Sequence, residues 1–251
     1  MPGLDKQKDK EHPHKLYLET RNGLFTCDGC KELGFGNCYK CPLAICDYVL
    51  HVACISENGT PLSNSLFENC KFQFYQKNPS TAAPTCLICA FQIQGRMYHC
   101  SERKYSLHPY CATLPMAFSL PGSNMKIKLR RDVKLNFFKS KCLKCGKKSR
   151  SSGNVQCLSY VSSDDNLCYH VACMKDVCLD NRKKGYFRPG IPTNEQSKFL
   201  ALKNLAPKVE LSSDGQKSKV LLITFLKLVV YAILGEPFGL ISPLFQPLGN
   251  S

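Results

Sequence analysis

Apolar and polar positions alternate between Met125 and Phe138. Met125, Ile127, Leu129, Val133, Leu135 and Phe137 take one parity, and Lys126, Lys128, Arg130 and Lys134 take the other. Side chains of a strand point alternately to its two faces, so this period of two predicts a strand with a basic solvent face. Two shorter runs, Tyr48-Val49-Leu50-His51 and Tyr105-Ser106-Leu107-His108, suit a short strand or packed turn leading into a short helix. Residues 181–218 are polar, with Pro, Gly, Ser and scattered Lys, and read as a linker. Val220 to Leu234 is then apolar apart from Thr224, Lys227 and Tyr231. Leu221, Leu222, Phe225, Leu228, Val229 and Ile233 recur at three- and four-residue spacing, which predicts an apolar amphipathic helix over residues 219–236. Its run is shorter than the roughly 20 residues of a membrane span and carries a central Lys. Such a helix packs on the body of the protein, or lies on a partner or an anionic membrane surface beside Lys217 and Lys219.

Cysteine usage changes this picture. The 251 residues include 17 Cys and 6 His, which forces a choice between disulfides and metal. The start, Met-Pro-Gly-Leu-Asp-Lys, is charged and has no apolar signal-peptide core, so an intracellular protein is expected. The cytoplasm or the cytoplasmic face of endomembranes fits, the nucleus is also open to it, and secretion is not expected. Disulfides are uncommon in such a reducing compartment, and an odd cysteine count suits a fully paired set badly.

The spacing favours metal. Cys27 and Cys30, Cys86 and Cys89, and Cys142 and Cys145 form three Cys-x2-Cys pairs. His51 and Cys54, His108 and Cys111, and His170 and Cys173 follow as three His-x2-Cys pairs. The first Cys precedes the His by 24, 22 and 28 positions, and the copies start 59 and 56 positions apart. Structural zinc takes four ligands in a tetrahedron, commonly three Cys and one His. Cys-x2-Cys puts two thiolates on one tight turn, and His-x2-Cys puts its pair on one face of a short helix. Copies this short bury too little to fold alone, so metal must supply folding energy. Copy one offers a second candidate set: His14, Cys41, Cys46 and Cys70.

The order of these ligands resembles that of the C1 zinc finger. Cys27-Asp28-Gly29-Cys30, Cys46-Asp47-Tyr48-Val49-Leu50-His51-Val52-Ala53-Cys54 and the opening His12-Pro13-His14 are similar to the divergent C1 domain of plant cysteine/histidine-rich proteins, a multi-module group. Tyr98-His99-Cys100, Leu107-His108-Pro109-Tyr110-Cys111 and Cys142-Leu143-Lys144-Cys145 extend the likeness to about residues 12 to 178. The resemblance implies small zinc-stabilised α+β modules in tandem, each with short β-hairpins and a short helix. It also implies a cross-brace in which Cys27, Cys30, His51 and Cys54 share one ion and His14, Cys41, Cys46 and Cys70 another. Cys38 competes with Cys41, and Cys70 lies further out than the family pattern allows. In copy two the second site is incomplete, because Cys100 is followed by no thiol from Ser101 to Leu107. Cys157, Cys168 and Cys178 in copy three are either ligands or buried free thiols.

The expected layout is module one at 10–58, a connector at 59–78, module two at 79–118, module three at 119–180, then linker and apolar helix. Three or four zinc ions are expected. Formal net charge is +15, and four Cys3His sites would bring it to roughly +11 (15 minus 4). That balance favours acidic partners, anionic membrane or nucleic acid without choosing among them. No residue pattern supplies a general base or nucleophile, so no catalytic activity and no small-molecule substrate are expected. The expected role is a protein-interaction or signalling adaptor. The alternatives are a membrane-surface or lipid-associated regulator and, less favoured, a nucleic-acid-binding zinc protein.

Overall fold

The computed structural model describes residues 6–79, 82–119, 126–131 and 140–183, together with Asn204, Pro207, Phe225, Leu226 and Val229. The chain divides into two compact units, Met1–Leu114 and Pro115–Ser251.

The first unit holds two antiparallel four-stranded sheets. In the first, β1 (Lys6–Lys8), β2 (Lys15–Thr26), β3 (Leu33–Lys40) and β4 (Val49–His51) pair in chain order. A register shift between Arg21 and Phe25 bends the long β2. The chain then enters a single 3-10 turn, Val52–Cys54. In the second sheet, β5 (Pro61–Leu62), β6 (Phe72–Tyr75), β7 (Met97–Cys100) and β8 (Tyr105–Leu107) also pair in order, and α1 (Pro109–Ala112) follows. Residues 59–78 are therefore not a connector: they supply β5 and β6, half of the second sheet. The alternation of Phe72 and Phe74, both buried, with exposed Gln73 carries that pairing.

The second unit has β9 (Ala117–Ser119), β10 (Lys126–Arg130), a two-residue hairpin of β11 (Ser151–Ser152) and β12 (Val155–Gln156), then β13 (Ser159–Ser162), β14 (Cys168–His170) and α2 (Val171–Lys183). Its main sheet runs β14-β13-β10-β9. Ala117 and Phe118 thus belong to the third sheet and not to module two. The alternation read at residues 125–138 appears in β10, where Ile127 and Leu129 are buried and Lys126 and Lys128 exposed. Residues 132–139 lie outside the described residues. So does most of the apolar segment 219–236, of which Phe225, Leu226 and Val229 are described and buried.

The cores are small. The buried cluster of the first sheet has ten residues, and five of them are Cys27, Cys30, Cys38, Cys41 and Cys54. Half of this core is thiol, so apolar burial alone is too slight to hold it.

Candidate metal centres

Among the described residues, four Cys/His clusters bring their ligand atoms within 4.8 Å of one another: His12, His14, Cys41 and Cys46; Cys27, Cys30, His51 and Cys54; Cys86, Cys89, His108 and Cys111; Cys142, Cys145, His170 and Cys173. The last three are the sets that the repeat spacing predicts.

One local construction builds those three inner sites. The Cys-x2-Cys pair sits on a tight turn. In module one Lys31 N–H donates to Cys27 O at 2.9 Å, and Cys27 N–H donates to Glu32 O at 2.9 Å. Ala90 and Phe91 repeat this around Cys86, and Gly146 and Lys147 around Cys142, all at 2.8–2.9 Å. The turn needs a left-handed residue four places after the first Cys: Lys31 at φ 64°, Ala90 at 58° and Gly146 at 70°. The histidine ends a strand, or directly follows one at His108, and immediately precedes the helical segment that carries the last Cys. Its backbone N–H donates to the first thiolate position, from His51 to Cys27 at 3.4 Å, His108 to Cys86 at 3.5 Å and His170 to Cys142 at 3.4 Å.

The histidine rings are oriented from both sides. Nδ1 faces the sulfurs, at 3.2 and 3.8 Å for His51, 3.4 and 3.8 Å for His108, and 3.3 and 3.6 Å for His170. Nε2 donates outward, to Leu33 O at 3.2 Å from His51 and to Lys148 O at 3.3 Å from His170. This fixes the tautomer that leaves Nδ1 free for metal. For His108 the Glu32 carboxylate of module one lies 3.1 Å from Nε2, at ion-pair distance.

The donor sets fit zinc. A tetrahedral ion with sulfur at about 2.3 Å and nitrogen at about 2.0–2.1 Å spaces S and N by about 3.6 Å. The observed 3.2–3.8 Å distances bracket that value. Charge argues the same way. Burial opposes ionisation of Cys27, but hydrogen bonds from Cys30, Cys54 and His51 hold its thiol far below the usual range. Burial and the Cys27 and Cys30 neighbours push Cys54 far up. In module three a hydrogen bond from Cys173 brings Cys142 down to about 3, against burial, while Cys173 itself is driven up. Three adjacent buried thiols cannot all ionise unless a cation joins them.

The fourth cluster corrects the expected ligand set. His14, Cys41 and Cys46 come together as expected, but their partner is His12 and not Cys70. Cys41 Sγ lies 3.8 Å from His14 Nδ1, and Cys46 Sγ lies 3.7 Å from His12 Nε2. Cys70 lies in the turn that leads into β6 of the second sheet, three residues before Gln73. A signal for His12 was present: in an extended His12-Pro13-His14 the two rings fall on one side. The Tyr48 ring stacks flat on His12 at 4.2 Å. This outer site is more open than the inner ones, with Cys41 buried, His12 and Cys46 half-buried and His14 exposed. With two His and two Cys it is neutral when it holds Zn2+, so four ions bring the +15 chain to roughly +12 (15 minus 3).

The ligands of the two sites in module one interleave along the chain, which is a cross-brace. Residues 10–55 match the family model of the C1 domain. That segment is a C1-like domain. No curated protein and no solved structure matches the chain. C1 domains bind zinc, and the four clusters of this chain accommodate three or four zinc ions, the three inner sites and the outer site of the C1-like domain. When bound, the ion neutralises the converging thiolates and ties each Cys turn to its strand and helix.

Within the first unit, the two modules share their metal surroundings. Besides Glu32 on His108, Tyr110 of module two stacks on His51 at 4.8 Å. Arg96, 1% exposed, reaches from module two into module one. It donates to Cys54 O at 2.9 Å, to both Asp9 oxygens at 2.9 and 2.7 Å, and to Glu11 at 3.1 Å. Gly95 makes room for this: a Cβ there would meet Gly29 O at 2.1 Å.

The thiols outside the clusters are accounted for individually. Cys38 is buried in β3, and burial pushes its thiol up to about 11. Cys157 accepts from Ala172 N at 3.3 Å and donates to Leu158 O at 3.2 Å. Cys168 packs on Val161. The side chain of Cys178 lies outside the described residues.

Proposed function

We propose that this chain is a zinc-built interaction module, a signalling adaptor without catalytic activity of its own, from the plant divergent C1 group that includes the vacuoleless gametophytes protein. One observation carries this reading. Every metal cluster has four protein donors, and the three inner ones are almost wholly buried. A closed tetrahedral set leaves no position for water or substrate, which is the mark of a structural site. The zinc ions then shape surfaces for protein partners. In a pull-down from native tissue, the zinc-loaded chain should retain defined proteins that its His51→Ala and His170→Ala variants lose. Equal retention by folded chain and variants sinks the reading.

A membrane-surface role is the second reading, because Ile45 is 98% exposed and Leu43 42% exposed in the loop between Cys41 and Cys46. Lys40 directly precedes that loop and pairs with Tyr17, two residues after Lys15. Among the described residues no helix is long and apolar enough to cross a membrane. Co-sedimentation with anionic vesicles of the full chain, a chain ending at Gln216 and an Ile45→Ser variant separates the loop from the 219–236 segment. Binding by none of them removes this reading.

A further inference from the structure

In the first unit, residues that build one inner site reach the ligands of the other, and they do so in both directions. Arg96 of module two spans the two arms of the Cys27/Cys30/His51/Cys54 site. Its backbone N–H donates at 2.9 Å to Gly29 O, inside the Cys27-x2-Cys30 turn, and its guanidinium donates at 2.9 Å to Cys54 O. Arg96 immediately precedes β7, which pairs with β8, and β8 ends one residue before His108. The approach is close: a Cβ on Gly29 would meet Arg96 Cδ at 2.7 Å. Tyr110 lies between His108 and Cys111, and its ring stacks on that of His51 at 4.8 Å with 25° between the planes. Glu32 works the other way. Its carbonyl closes the Cys27 turn by accepting from Cys27 N–H, and its carboxylate lies 3.1 Å from Nε2 of His108.

We propose that the inner sites of modules one and two load and empty as a coupled pair, the ion at either one tightening the hold of the other. The contacts above exist together only when both sites are assembled. Without an ion at the first site, the Cys27 turn and the 3-10 turn that carries Cys54 are no longer held at one spacing, and Arg96 cannot bond both carbonyls. The His51 ring also loses the fixed plane on which Tyr110 stacks. Tyr110 sits directly beside Cys111, so the second site must then meet the cost of ordering its own helix. Without an ion at the second site, His108 turns away from Glu32, and Arg96 and Tyr110 lose the sheet end and helix that present them. Groups that orient a metal ligand are worth about 10- to 100-fold in metal affinity. Coupling between two binding sites is reciprocal, so each ion must change the other's affinity by the same factor. The first unit then passes from empty to assembled over a narrower range of free zinc than independent modules would, and the surfaces of both modules form together.

The test uses the full chain, reduced, in zinc buffers of graded free-ion concentration. Zinc-bound thiolates resist alkylation, so mass spectrometry of the labelled peptides reads each cysteine set separately. His51→Ala should move the protection midpoint of Cys86, Cys89 and Cys111 to at least about tenfold higher free zinc. His108→Ala should move Cys27, Cys30 and Cys54 by the same factor. Cys142, Cys145 and Cys173 of the second unit are the reference, and neither variant should move them by more than about twofold. A second background tests the contacts themselves while keeping every metal ligand. With Glu32→Gln and Tyr110→Leu in place, the shift that His51→Ala causes at the second site should shrink by at least about threefold. No shift at the second site in His51→Ala, a shift in one direction only, an equal shift of the reference set, or an undiminished shift in the Glu32→Gln/Tyr110→Leu background overturns the proposal.

Discussion

Arg96 should be the most costly single side chain to remove from the first unit outside the metal ligands. Its guanidinium and the Asp9 carboxylate are 1% and 2% exposed and lie 2.7 Å apart. At an effective dielectric of about 20 the gross attraction is about 6 kcal/mol, most of which offsets the desolvation of both charges. Removing one partner is a different matter, because the other stays buried and uncompensated. Arg96→Met leaves Asp9 with the Tyr48 hydroxyl, which donates to it at 2.6 Å, and orphans Cys54 O. The expected cost is about 3–5 kcal/mol, a third or more of the stability of a unit this size. Urea unfolding followed by far-ultraviolet circular dichroism on the zinc-loaded chain measures it. Asp9→Asn should cost about 2–4 kcal/mol, less because Glu11 remains beside Arg96. The double variant should fall short of the sum by at least about 2 kcal/mol. An additive cycle, or a loss below about 1 kcal/mol for Arg96→Met, would refute the reasoning. The pH dependence carries a sign. Burial opposes Asp9 ionisation, but Tyr48 and Arg96 outweigh it and hold its carboxyl below the usual range. A depressed carboxylate contributes stability above its unfolded pKa of about 3.9, lost as pH falls through the folded value. The gap between wild type and Asp9→Asn should therefore be full at neutral pH and close below about pH 4.

Other outcomes follow from the site geometry. Gly34→Ala should loosen the first inner site, since its Cβ would sit 2.3 Å from His51 Nε2 and 2.4 Å from Phe25; a chelator competition should show zinc lost from that variant at least about tenfold more readily. Unchanged competition would mean that β3 shifts without moving the ring. Gly146→Ala should destabilise the second unit by about 1 kcal/mol because φ there is 70°, whereas Ala90→Gly should cost nothing or stabilise; thermal melts with both changes of the same sign would contradict this. During stepwise chelation the outer His12/His14/Cys41/Cys46 ion should leave first, and His14→Ala should reduce zinc content by one without unfolding the chain. Simultaneous loss of all zinc in that variant would show that the outer site is not separable.

What could be read from residues alone was whatever rests on local spacing. Cys27-x2-Cys30 and His51-x2-Cys54 each fold within a turn or a strand-to-helix junction, so their convergence follows once the turn and the strand form. The outer site was harder. Cys70 and His12 were both within reach along the chain, and only the strand register decides between them: β1 and β2 bring His12 and His14 to the end of β3, while Cys70 is carried off by β6. The two strands hidden in residues 59–78 escaped notice because β5 is two residues long and β6 four, too short for a period to declare itself. Arg96 was invisible for another reason. A lone arginine on an exposed-looking turn has no local signature of burial; its partners Asp9 and Glu11 lie 87 and 85 positions away.

The contrast between inner site and outer corner explains why one is repeated unchanged and the other is not. Each inner site joins three elements that have no other strong tie: the Cys turn, the strand ending in histidine, and the helix carrying the last Cys. Removing its ion frees all three and exposes a core that, in module one, is half thiol. The outer corner joins only the ends of two strands already paired through their backbones. Ser162 and Asp164 can close it with hydrogen bonds in place of about 10 kcal/mol or more of metal binding, because the sheet has met most of the ordering cost there. A position relieved of that structural demand is free to vary from module to module. On this reasoning Cys100, which stands at the Cys41 place in the second module as Ser162 does in the third, can be changed with little effect on folding, and a large loss of stability in Cys100→Ser would show that the second module leans on this corner as the first leans on its inner ion.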